Sequence, residues 1–258
     1  MSEILSSTEN GVCTLRMNRP AVFNSFNRKM ALQLQHELDR CANDDSIRAV
    51  VLTGEGKAFC AGQDLAEATD PNGPALQTIV REHYNPIILK IQALQKPVIA
   101  AVNGVAAGAG ANIALACDIV LATESASFIQ AFSKIGLIPD SGGTFLLPRL
   151  IGMQKALALM MTGEKVMATE AERLNMIYKV FPNERFAQDV QQFADQLANM
   201  PTRGLALTKQ ALQASATNTL EAQLELEEKL QTEAGQTHDF KEGVQAFLEK
   251  RAPQFKGK

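Results

Sequence analysis

Three short runs constrain the fold more than anything else in the chain. Ile47 to Thr53 (IRAVVLT), Val98 to Val102 (VIAAV) and Ile119 to Ala122 are rich in β-branched residues and nearly continuous in apolar character. A strand with one wet face alternates apolar and polar residues, so runs like these read as strands covered on both faces. Helical stretches separate them, which requires repeated crossovers and an α/β architecture. Upstream, Val12, Thr14 and Arg16 alternate with Cys13, Leu15 and Met17, the period of two of a strand with one buried face. Met30, Leu34, Leu38 and Cys41 then recur at helical spacing, predicting a helix over 28–42 with Asn27 as its N-cap.

The pattern changes after about residue 183. Four amphipathic stretches follow, around 184–199, 202–214, 218–234 and 239–250, with Pro201, Gly204 and Gly235 as breaks. The expected organisation is an α/β core over 1–183 and a helical region over 184–258. Leu220, Leu224, Leu226 and Leu230 share roughly one side of the third stretch. That side either packs on its own domain or meets another subunit.

A chain of 258 residues with 46% hydrophobic and 21% charged residues has the composition of a globular protein with a substantial core. A net charge of -3, no Trp, two Tyr and no basic stripe argue against a nucleic-acid surface. Cys13, Cys41, Cys60 and Cys117 are scattered without CxxC spacing, as buried free thiols in a reducing compartment are. Met1-Ser2-Glu3-Ile4 does not open a signal peptide, and no segment approaches 18 uninterrupted apolar residues. A cytoplasmic protein with no membrane contact is the expectation.

Three segments could carry chemistry. Lys57 to Leu65 (KAFCAGQDL) follows a strand, and its small residues would let a ligand approach the main chain, or simply pack as a tight loop. Asn103 to Asn112 (NGVAAGAGAN) follows the strand 98–102 and leads into a short helix expected over Asn112 to Cys117. A small-residue turn into a helix N-terminus offers unpaired N–H groups to an anion or a developing oxyanion. Gly108-x-Gly110 is not a dinucleotide fingerprint, because Ile113 holds the third glycine position and no acid closes a strand about 20 residues on. The third segment, Gly136 to Gly143 (GLIPDSGG), sets Asp140 between a proline and a pair of glycines. Asp140 is either a turn-former or a positioned proton carrier. Ile135, Leu137, Ile138, Phe145 and Leu146 around it would raise its pKa if they formed an apolar wall.

GxxxxGK[ST], GxSxG and HExxH are all missing. His36, His83 and His238 lie far apart and are expected at the surface. Two loops able to offer N–H groups, with a carboxylate beyond them, suit polarisation of a thioester carbonyl and movement of an α-proton.

Leu15-x-x-Asn18-Arg19-Pro20, Ala58 to Leu65, Val102 to Ile119, Gly136 to Gly143 and the ending Phe247-Leu248-Glu249-Lys250-Arg251-x-Pro253-x-Phe255 resemble the crotonase family, the enoyl-CoA hydratase/isomerase superfamily. The resemblance covers essentially the whole chain. It implies a spiral of repeated ββα units with a C-terminal helical part that builds trimers, often paired into hexamers. It also implies an oxyanion hole from the N–H groups of Gln63 and Ala109. Acyl-CoA contacts would come from Ala61, Gln63, Asp64, Leu65, Ala109 and Phe132. No separate cofactor is implied, since coenzyme A enters as part of the substrate, and Lys250 and Arg251 could hold its phosphates or be solvated charge.

Hydratases of the family use two glutamates, and the matching positions here hold Asn112 and Phe132. Asp140 falls where the family's isomerases and dehalogenases often carry an aspartate. The strings Ala131 to Gly143, Phe59 to Leu65 and Tyr84-Asn85-Pro86 look most like the subgroup that isomerises 1,2-epoxyphenylacetyl-CoA in phenylacetate degradation. Members of that subgroup also shift double bonds in unsaturated acyl-CoAs. The resemblance thus implies an acyl-CoA isomerase with Asp140 as its single acid/base. A hydratase, hydrolase or dehalogenase of the same family is one alternative. A non-catalytic acyl-CoA-binding or complex-assembly protein is another.

Overall fold

A computed structural model describes residues 2–258. Among these residues the strands are β1 (Ile4–Glu9), β2 (Val12–Met17), β3 (Ala49–Gly54), β4 (Ala58–Cys60), β5 (Val98–Val102), β6 (Val105–Ala107), β7 (Ile119–Thr123), β8 (Ser127–Ile129), β9 (Lys165–Met167) and β10 (Lys179–Phe181). They form two sheets, ordered β1-β2-β3-β5-β7-β10 and β4-β6-β8-β9. From β2 to β10 the larger sheet is parallel, and β1 pairs antiparallel with β2. The chain lays one strand in the large sheet, turns a corner, lays a three-residue strand in the small sheet, and repeats with β3–β4, β5–β6 and β7–β8. Two of these corners exclude a side chain. A Cβ on Gly54 would sit 2.2 Å from the Ala58 carbonyl oxygen, and one on Gly104 would sit 2.1 Å from that of Lys57. This is the spiral α/β fold that the family resemblance implies.

The continuous apolar runs are explained by what covers each face. Val50, Leu52, Val98, Ala100 and Val102 point into the main core with Leu34, Leu38 and Ile113. The alternate residues Ala49, Val51, Ile99, Ala101 and Leu121 meet Phe186, Val190, Ala194 and Ala198 of the helix Phe186–Ala198. Each fully buried Val, Leu or Ile contributes about 1.5–3 kcal/mol relative to exposure, and the buried threonines at the strand ends, Thr53 and Thr123, have their hydroxyls hydrogen-bonded. The strand expected from Ile47, β3, begins at Ala49, two residues later. Ile47 N–H closes a turn on Asp44, while Arg48 reaches out to Thr202 Oγ1 at 2.9 Å and the Phe255 carbonyl at 2.8 Å.

The helix expected over 28–42 spans Arg28–Asn43, and Asn27 Oδ1 caps it by accepting from Met30 N–H at 2.8 Å. The C-terminal helices are Phe186–Ala198, Thr202–Ser215, Leu220–Ala234 and His238–Glu249. Gly204 lies inside the second and does not break it; the chain turns instead through Asn199, Met200 and Pro201. Of the four leucines on the third helix, Leu230 is buried while Leu220 and Leu224 are exposed. No helix among the described residues is long and apolar enough to cross a membrane. His36 and His238 are exposed, but His83 is buried on the π-helical turn Ile79–Tyr84. Its charged sequence neighbours concealed that: Arg81 is exposed, while Glu82 and His83 both approach Arg28 Nη1, at 3.1 and 3.4 Å.

Candidate active site

The two small-residue loops meet. After β4, Ala61 N–H donates to the Phe23 carbonyl at 3.0 Å, Phe26 N–H to that of Gly62 at 2.7 Å, and Asp64 N–H to that of Phe26 at 2.8 Å. This pairing skips Gln63, whose N–H donates to no other described residue. In the second loop Gly108 has φ 53 and ψ −128, a conformation open to glycine, and Ala109 begins the helix Ala109–Ala116. The helix therefore starts three residues before the expected Asn112. Ala109 N–H, in the first turn, has no acceptor within its helix. The loops are in near contact: a Cβ on Gly62 would lie 3.5 Å from Ala109 N, and one on Gly110 would lie 2.4 Å from the Cys60 carbonyl oxygen. Glycine at both positions is what lets two free N–H groups come together.

The first loop is braced from behind by the Asn18-Arg19-Pro20 segment. Arg19 donates to the Ser25 carbonyl at 2.6 Å and to Asp64 Oδ2 at 2.8 Å. Asn24 accepts from Arg19 N–H at 2.9 Å and donates to the Ala58 carbonyl at 2.8 Å. Asp64 also caps the short helix Leu65–Ala68 by accepting from Ala66 N–H at 3.0 Å. Its carboxylate is committed to the brace and it does not line the cavity.

Beside the two N–H groups is a cavity of about 250 Å³, lined by Ala61, Gln63, Leu65, Leu76, Ile79, Tyr84, Ala109, Phe132, Ile135, Leu137 and Asp140, among others. The apolar wall differs from the one expected around Asp140. Ile135 and Leu137 belong to it, but Ile138 is 81% exposed, Phe145 also faces solvent and Leu146 lies outside the cavity. Phe132 joins the wall from the turn just upstream, and Leu76, Ile79 and Tyr84 come from a distant segment. Burial pushes the Asp140 carboxyl above its ordinary value, while Ser141 Oγ, donating to Oδ1 at 2.8 Å, pulls the other way. The Tyr84 hydroxyl donates to Gln63 Oε1 at 2.8 Å, and burial keeps this phenol protonated.

Asn112 and Phe132 are both buried. Asn112 Nδ2 donates to the Asp140 carbonyl and its Oδ1 accepts from Gln130 Nε2, each at 2.8 Å. Phe132 is a cavity wall. The structure thus brings together Ala61, Gln63, Leu65, Ala109, Phe132 and Asp140. Tyr84, Leu76 and Ile79 were given no separate role by the sequence, since they sit on short or irregular helices without clear periodicity. Lys250 lies past the last helix, and Arg251 is engaged with Glu242 at 2.6 Å, away from the cavity.

The enoyl-CoA hydratase/isomerase sequence family matches residues 7–258. The chain belongs to this family. It is 52% identical over 261 residues to the 1,2-epoxyphenylacetyl-CoA isomerase of Escherichia coli (strain K12), covering 100% of both chains. It is 38% identical over 258 residues to the 2,3-dehydroadipyl-CoA hydratase of the same organism, again over 100% of both. Its fold superposes on a crystal structure of enoyl-CoA hydratase from Bacillus anthracis with a TM-score of 0.93, at 34% identity, covering 99% of this chain and 100% of that one.

Proposed function

We propose that this chain is an acyl-CoA isomerase that converts ring-1,2-epoxyphenylacetyl-CoA to oxepin-CoA, shifts double bonds in enoyl-CoAs, or does both. The observation that carries this reading is that Asp140 is the one carboxylate lining the cavity among the described residues, with Asn112 and Phe132 at the positions of the two hydratase glutamates. The 52% identity to the 1,2-epoxyphenylacetyl-CoA isomerase supports the same choice. Gln63 and Ala109 N–H groups donate to the thioester oxygen and stabilise the enolate that forms when the α-proton leaves. Asp140 takes the proton from one carbon and returns it to another. A carboxyl raised by burial is better matched to both steps than an ordinary one. With no second carboxylate lining the cavity among the described residues to activate water, isomerisation is favoured over hydration.

Ala61, Gln63, Leu65, Ala109 and Phe132 contact the acyl-CoA, and coenzyme A arrives with the substrate, so no other cofactor is needed. The helical region 184–258 packs on the core and on neighbouring subunits. Leu212, Leu220, Leu224, Phe240, Phe247 and Leu248 are exposed on its helices, which supports a homotrimer or hexamer. Four buried free thiols support a cytoplasmic location. Incubation with a 3-enoyl-CoA, the ring epoxide and a 2-enoyl-CoA tests the function. Isomerised products from the first two with little water addition to the third are expected; rapid hydration of the third with no isomerisation would sink the reading.

A further inference from the structure

Behind Asp140 lies a buried polar chain that touches no cavity space. Gln130 Nε2 donates to Asn112 Oδ1, and Asn112 Nδ2 donates to the Asp140 carbonyl, both at 2.8 Å. Gly143 N–H also donates to that carbonyl, at 2.9 Å. Ser141 has φ 52 and Gly142 φ 74, so two successive left-handed residues close the turn from Asp140 to Gly143. Glycine adopts that conformation readily, whereas serine does so at a cost. Something outside the turn has to hold it. Ser141 is buried, and its left-handed backbone aims Oγ at Asp140 Oδ1, 2.8 Å away. The conformation of the turn therefore sets where the carboxylate sits.

The amide chain is built for that purpose at some cost to stability. Gln130 Oε1 is buried and has no hydrogen-bond partner among the described residues, which an apolar residue of similar size would avoid. Gly143 makes room for the contact, since a Cβ there would fall 2.3 Å from Asn112 Nδ2. Gln130, by donating to Oδ1, leaves only the N–H side of the Asn112 amide to face Asp140. We infer that Asn112, oriented by Gln130, is a positioning residue that locks the Asp140 turn and so holds the carboxylate in reach of the acyl chain. The inference rests on the reading of Asp140 as the proton carrier.

The test compares Asn112→Leu, Gln130→Met and Asp140→Asn with the unmodified protein, using a 3-enoyl-CoA as substrate. Asn112→Leu keeps the branched shape but removes the donor to Asp140; Gln130→Met frees the Asn112 amide to rotate. Because a misplacement of about 1 Å can cost ~10²-fold, Asn112→Leu is expected to lower kcat by ~10–10²-fold with KM within about threefold. Gln130→Met is expected to lower it about tenfold, on the same reasoning applied to a partly retained contact. Release of Ser141 Oγ would also move the acid limb of the kcat/KM profile to higher pH, with Tyr84 and Lys134 the other titratable groups lining the cavity. If Asn112→Leu does not fold, Gln130→Met decides. Turnover within twofold of unmodified in the folded variants, while Asp140→Asn is inactive, overturns the inference alone. So does a loss in which KM rises as much as kcat falls and the acid limb stays in place. Full turnover by Asp140→Asn would instead overturn the parent reading.

Discussion

Gly62→Ala tests whether two loops must approach closely for the reaction to run. Gly62 has φ +95, outside the region L side chains adopt, and a Cβ there would lie 3.0 Å from the Ala107 carbonyl oxygen. An ordinary contact begins near 3.4 Å, so the loops must part by a few tenths of an ångström. The backbone strain costs ~1–3 kcal/mol. For a chain of this size that lowers Tm by roughly 2–10 °C. The catalytic effect has another source. The N–H groups of Gln63 and Ala109 sit on either side of the new methyl, and removing one oxyanion donor outright costs ~10²–10³ in kcat. Displacing both by less than a bond length should cost ~10–10², with KM little changed because ground-state contacts survive. The assay is the rate of formation of the conjugated thioester from a 3-enoyl-CoA, with Tm measured on the same preparation. A lowered Tm with kcat within threefold of the unmodified protein would refute the role given to the paired N–H groups.

Asp140 should leave a signature in pH dependence. Its folded-state pKa is raised above the ordinary 3.8, so the fold favours the protonated form. That stabilising preference is complete below the unfolded pKa and is lost as pH rises through the folded one. Asp140→Asn should therefore melt higher than the unmodified protein at pH 7, with the difference vanishing near and below about pH 4 in parallel melting curves. Activity runs the other way, since the proton carrier must start ionised: kcat/KM should fall with decreasing pH at a point above 3.8. Arg48→Met should release the C-terminal segment, because Arg48 bonds Thr202 Oγ1 and the carbonyls of Met200 and Phe255. Part-exposed charged hydrogen bonds of this kind suggest a loss of about 2–3 kcal/mol, measurable by urea unfolding, with kcat per folded subunit nearly unchanged.

The parts of the fold that were legible in sequence are those where one element carries its own period. Helix Arg28–Asn43 announces itself through Met30, Leu34, Leu38 and Cys41, and the central strands through runs buried on both faces. The second sheet was hidden because β4, β6, β8 and β9 are three residues each, too short to show alternation. The two small-residue loops stood out because close main-chain approach restricts composition locally. Asp140 was visible, but its surroundings only in part. Proximity along the chain correctly suggested Ile135 and Leu137 and wrongly added Ile138, Phe145 and Leu146, whereas Leu76, Ile79 and Tyr84 reach the wall from a segment that only the tertiary fold brings near. The brace on Asp64 was hidden for a related reason: Arg19, which holds its carboxylate, is 45 residues away in sequence.

The central claim is that one carboxylate moves the proton, and Asp140→Asn tests it most directly. The variant keeps shape and the Asn112 contact to the main-chain carbonyl while removing the base. Incubation of both proteins with a 3-enoyl-CoA in deuterated water, followed by mass spectrometry of the thioester, reads proton movement apart from product release. General acid–base groups contribute ~10²–10⁴ in rate, so exchange by Asp140→Asn should fall by at least ~10². Deuterium entering the thioester as fast with Asp140→Asn as with the unmodified protein would contradict the account.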